Sequence, residues 1–119
     1  MIRPSHDHPH VYLCRDVVDM RKAVNGLSVL VEGVLSLDPF QPHLFGFCNR
    51  RRDKIKILYW EGNGFVLWYK RLEKGRFYWP RETADDVVTM TGQELNWLLD
   101  GYDLSRMKSH QRLNFTTVL

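Results

Sequence analysis

The chain has 119 residues, 44% of them hydrophobic and 26% charged, and a net charge of +3. That is one domain with enough apolar matter for a core, which excludes a disordered chain. Two cysteines, Cys14 and Cys48, lack metal-ligand spacing and are too few for a disulfide scaffold, and no apolar run is long enough for a membrane span.

Residues 1–10 read as a flexible tail. His6, His8 and His10 alternate in it, but no cysteine or carboxylate cluster joins them, so the tail is read as solvated rather than as a metal site. No metal and no other cofactor is expected. The N-terminus lacks the apolar stretch of a signal peptide, and a cytoplasmic location is expected.

Residues 11–15, VYLCR, read as a short strand. Apolar positions Met20, Ala23, Val24, Leu27, Leu30, Val31, Val34 and Leu35 then follow helical spacing and predict one long amphipathic helix. Asp19 is placed at its start as a cap or first-turn acid, and Asp38-Pro39 at its stop. Residues 43–50 and 54–60 predict strands joined by the charged turn at 51–53. EGNG at 61–64 predicts a hairpin turn, 65–72 the return strand, and RFYWP at 76–80 a further strand; 87–90 supplies one more. Thr91 with Glu94 three residues on is a capping box for a second helix, and Gly101 fits its end. The expected fold is α+β: an antiparallel β-meander of about four to five strands, one long helix packed on it and a short C-terminal helix. A single domain spans 11–104, and 105–119 is a loosely ordered C-terminal tail.

Charge is unevenly spread. Residues 50–81 hold ten Lys/Arg and three Asp/Glu, which leaves seven bases and eleven acids elsewhere. The same segment holds most of the large rings. In 54–60 one strand face shows Lys54, Lys56, Leu58 and Trp60, the other Ile55, Ile57 and Tyr59. In 65–72 one face shows Phe65, Leu67, Tyr69 and Arg71. Such alternation belongs to any antiparallel sheet with one wet face. It also suits a surface for nucleic acid, where cations neutralise phosphates and rings stack on unpaired bases. The candidate phosphate contacts are Arg50, Arg51, Arg52, Lys54, Lys56, Lys70, Arg71, Lys74 and Arg76, extended by Arg21 and Lys22 of the first helix; the candidate stacking rings are Trp60, Tyr69 and Tyr78.

No nucleophile motif, phosphate-binding loop or HExxH stands in the chain. A metal-dependent nuclease would have to gather Asp19, Asp53 and Glu73, which are scattered singly. No catalytic residue is assigned, and an enzyme is not expected.

The stretches DMRK, KILYW, GNGF, LWYKRLE and GRFYWP resemble, in order and spacing, the TnpB-type accessory protein of the IS-sixty-six group of bacterial insertion sequences, a family distinct from the RNA-guided nuclease of the same name. The resemblance covers about residues 11–104. Asp16-Val17 stands where the family often has a Gly-Pro-like turn, and the last fifteen residues match nothing in it. The resemblance implies a non-catalytic accessory factor of transposition, with DNA, in the form of the element's ends, and the element's separate transposase as expected partners; the rings and leucines near the C-terminal helix make a second copy of the chain a further candidate, and no membrane is expected. Two readings of that role stand side by side. One is DNA binding through the basic, ring-rich sheet. The other is a protein-binding adaptor using Trp97 and the C-terminal helix without touching DNA.

Overall fold

A computed structural model of the protein describes residues 3, 4 and 10–107. His6, His8 and the end of the C-terminal tail from 108 on lie outside the described residues.

Five strands, β1 (Val11–Cys14), β2 (Leu44–Cys48), β3 (Lys54–Glu61), β4 (Gly64–Arg71) and β5 (Val87–Met90), form one sheet in the order β4-β3-β2-β1-β5. The sheet is mixed and not purely antiparallel: β1 and β2 run parallel, and the other neighbours are antiparallel. Parallel neighbours need a crossover, and helix α1 (Val24–Gly33) supplies it. Helix α2 (Gly92–Leu99) follows β5.

Helix α1 has 10 residues, far fewer than its apolar spacing predicts. Asp19 is not its cap. Its carboxylate accepts instead from the Arg21 backbone amide at 2.9 Å and from the Arg21 guanidinium, and the helix begins after Ala23. Such local side-chain bonding competes with helix formation. At the other end the chain turns out through Ser36, whose φ is 56°. Helix α2 agrees with its sequence signals. Thr91 and Glu94 close a reciprocal capping box, and Gly101 at φ 96° ends the helix with its amide on the Leu98 carbonyl and that of Tyr102 on the Trp97 carbonyl, a Schellman motif.

RFYWP is not a strand. Strand β4 is one edge of the sheet and β5 the other, so the intervening chain must cross from edge to edge. It passes the 49–53 turn, with the Phe77 amide on the Arg52 carbonyl at 2.7 Å, and turns Phe77 and Trp79 into the core. Alternating burial along an extended crossing looks in sequence like a strand.

Each sheet face carries a packed core. On one, Leu27 and Val31 of α1 pack over Phe45, Phe47 and Leu58. On the other, Leu95, Leu98 and Leu99 of α2 join Phe77 and Trp79 over Leu13, Leu44, Ile55 and Ile57. Trp97 is half-buried against this second core, so it does not stand clear of its helix's packed side. Trp79 lies over Gly46, where a Cβ would sit 2.5 Å from Leu13 Cδ2, and its indole N–H donates to the Cys14 carbonyl at 2.9 Å.

Cys14 and Cys48 are free and buried, one on each face. Burial raises both thiol pKa values, that of Cys48 from 9.0 to about 11. Their folded pKa values lie above the unfolded ones. Below pH 9 both thiols are neutral folded or unfolded; above it the unfolded chain loses those protons first. Stability is therefore expected to fall as pH rises past 9 and to level off above about 11. Urea midpoints at pH 7, 9 and 10.5 check this, and Cys48→Ala should flatten the decline.

Candidate nucleic-acid interface

The α1 side of the sheet is only partly filled. The helix covers the half with Leu58 and Phe65 and leaves open the half with Lys54, Lys56 and Tyr69. In the β3–β4 register Lys54 stands opposite Arg71, and Lys56 opposite Tyr69. Walls rise from two loops: 17–21, which follows β1, and 49–51, which follows β2. The result is an open cleft of about 890 Å³ at the carboxyl ends of the two parallel strands, the place where open sheets commonly bind ligands.

Each wall has a local cause. Asn49 organises the β2–β3 turn: its Oδ1 accepts from the Asp53 and Lys54 amides at 3.1 and 3.0 Å, and its Nδ2 donates to the Asp53 carboxylate at 2.7 Å. That amide holds the Asp53 pKa below its usual value. Arg52 takes a positive φ of 60° to close the turn, which leaves Arg50 and Arg51 exposed at its tip. The 17–22 loop is tied down by Lys56, whose ammonium donates to the carbonyls of Met20 at 2.7 Å and Lys22 at 2.9 Å. The same ammonium lies 5.8 Å from the centre of the Tyr69 ring, a cation–π contact. Lys56→Met is expected to cost about 1–2 kcal/mol of stability through the two lost charged hydrogen bonds, and to speed amide exchange in the 17–22 loop. Denaturant melts and hydrogen-exchange mass spectrometry check both.

Charge in the cleft is lopsided. Arg21, Arg50, Arg51, Lys54 and Lys56 line it, against Asp19 alone among acids. Asp19 is matched to Arg21, whose guanidinium and backbone amide draw its carboxyl down to about 2. Among the described residues, Arg50, Arg51 and Lys54 have no ion-pair partner.

A family model described as IS66 Orf2 like protein matches residues 9–109. The chain belongs to the IS66 Orf2-like family. Two uncharacterized proteins of Sinorhizobium fredii (strain NBRC 101917 / NGR234) are similar to it: y4jC, 35% identical over 108 residues and covering 91% of each chain, and y4hO, 33% identical over 100 residues, 84% of this chain and 86% of the other. No solved structure matches. The resemblance carried by DMRK, KILYW and GRFYWP is thus borne out, and family membership makes this an accessory protein of an insertion sequence.

The Orf2-like chain gathers only part of the predicted contact set into the cleft: Arg21, Arg50, Arg51, Lys54, Lys56 and Tyr69. Lys70 points to the other face and donates to the Leu99 carbonyl at 2.9 Å, near the end of α2, where a cation suits the helix dipole. Arg71 pairs with Glu73 at 3.1 Å, and Lys74 and Arg76 stand exposed beyond β4. Lys22 is exposed just before α1. Trp60 lies at the opposite end of β3, about 20 Å along the strand from Lys54, with its ring against Phe40 and Phe65. Tyr78 and Arg52 line a second, smaller cleft of about 400 Å³ beside Trp79 and Leu104.

Asn49, Met20, Val17 and Leu67 line the first cleft and were not among the predicted contacts. The Asn49-x-x-x-Asp53 spacing is the sequence signal for Asn49, and strand alternation is the signal that sets Leu67 on the face of Tyr69. Among the described residues no three His, Cys, Asp or Glu side chains gather as a metal site, and Asp19, Asp53 and Glu73 serve Arg21, Asn49 and Arg71. Among the described residues no helix is long and apolar enough to cross a membrane.

Proposed function

We propose that this accessory protein acts in transposition by binding the phosphate backbone of DNA, with Arg50, Arg51 and Lys54 as the principal contacts. The observation that supports the reading is their convergence. Two loops and a strand bring five cations to one open cleft, and three of them, Arg50, Arg51 and Lys54, make no ion pair among the described residues. Lys56 and Arg21 belong to the same cleft but are committed to Met20, Lys22 and Asp19, so their role is to hold its wall. The chemistry asked of the site is charge neutralisation and needs no reacting group. Contact with the element's transposase is a further part of the proposal and would leave this cleft free for DNA.

Fluorescence-anisotropy titrations of a labelled duplex over a salt series test the reading. Three phosphates neutralised predict a slope of log affinity on log salt of about −2.7. A slope near zero, or no binding at low salt, would contradict it.

A further inference from the structure

We propose that the cleft takes an unpaired DNA nucleotide, its base laid on Tyr69 and its neighbouring phosphates on Arg50, Arg51 and Lys54. This rests on the DNA-binding reading above and names the form of DNA. The cleft is more than a basic rim. Val17, Met20 and Leu67 form apolar lining, and Tyr69 is 40% exposed beside them. A duplex presents a convex backbone, which would meet the rim cations and leave such lining wet. A base turned out of a strand would cover it.

The volume of about 890 Å³ falls within the roughly 300–1,000 Å³ of small-molecule sites. The ring is also pre-positioned. Lys56 holds it by the cation–π contact, and Lys56 is itself pinned by two carbonyls, so little order remains to be gained on binding. The other candidate rings are elsewhere: Trp60 against Phe40 and Phe65, and Tyr78 in the second cleft. A stacking ring set among arginines and lysines is the combination used to hold single strands regardless of base.

The test is a paired titration of a labelled single-stranded 12-mer and a blunt hairpin duplex of the same sequence, with wild type, Tyr69→Ala and Tyr69→Trp. Circular dichroism verifies that the variants are folded. The single strand is expected to bind wild type at least tenfold tighter than the duplex. Tyr69→Ala should lose roughly 5- to 150-fold for the single strand and less than twofold for the duplex, and Tyr69→Trp should restore the single-strand affinity. Equal binding of both forms, or a Tyr69→Ala loss that is absent or the same for both, overturns the nucleotide pocket and leaves the phosphate reading standing. No salt-dependent binding of either form overturns both.

Discussion

Trp79→Ala is expected to lower the unfolding free energy by about 3–5 kcal/mol. The ring is 4% exposed and spans the crossing chain, Gly46 and Leu13, so truncation opens a cavity under the segment that joins β4 to β5. It also removes the indole donor from the Cys14 carbonyl, leaving a buried acceptor short of a partner. Gly46 cannot fill the space without meeting Leu13. Trp79→Phe keeps part of the packing and loses the donor, so its cost should fall between wild type and Trp79→Ala. Urea denaturation followed by far-UV circular dichroism measures both variants. A cost below about 1 kcal/mol for Trp79→Ala would mean that the crossing segment is not part of the core.

The second large effect is on binding. Arg50→Ala/Arg51→Ala/Lys54→Ala removes the unpaired cations of the cleft and should nearly abolish salt-sensitive DNA affinity. For wild type, three duplex phosphates predict a loss of about 40-fold between 50 and 200 mM salt; for the triple variant that loss should shrink to a few-fold. The three side chains make no ion pair among the described residues, and Arg50 and Arg51 are exposed at the turn tip, so the melting temperature should change little. Lys74→Ala/Arg76→Ala, with equally exposed cations beyond β4, is the matched control and should keep most of the salt slope.

The parts of the fold legible in sequence are those whose signals are local. The capping box at Thr91 and Glu94, the glycine at 101 and the EGNG hairpin turn are each decided within a few residues, and each is found in place. Helix α1 is shorter than its apolar spacing predicts: the spacing continues through Met20 and Leu35, while Asp19 and the pull of Lys56 on the Met20 and Lys22 carbonyls keep the preceding turn out of the helix. That pull comes from 34 and 36 residues away and leaves no mark on the local pattern. RFYWP has the pattern of a strand without being one for a related reason: extended chain crossing a sheet face alternates as a paired strand does. The mixed sheet follows from α1 returning the chain beside β1 in the same direction, a choice that strand patterns do not encode.

The candidate site was half legible. Basic residues and rings near 50–71 stand out by composition, and alternation separates their faces, but what packs on each face does not show. Lys54 and Lys70 are both basic strand residues, yet one lines the cleft and the other tethers α2. Trp60 shares a strand face with Lys54 and Lys56 and is still remote, because it stands at the other end of β3, in the half of that face that α1 covers. Alternation predicts which side of a sheet a residue faces and says nothing about what lies on top.

On the proposed reading, the cleft between the 17–21 and 49–51 loops is the surface that touches DNA. The most direct test is a titration of ¹⁵N-labelled protein with a short DNA, following backbone amide resonances by NMR. Shifts are expected at residues 17–21, 49–54 and 67–69, with α2 and the 76–82 segment unmoved. Shifts confined to the second cleft around Tyr78 and Leu104, or none at a DNA concentration well above the protein's, would contradict it.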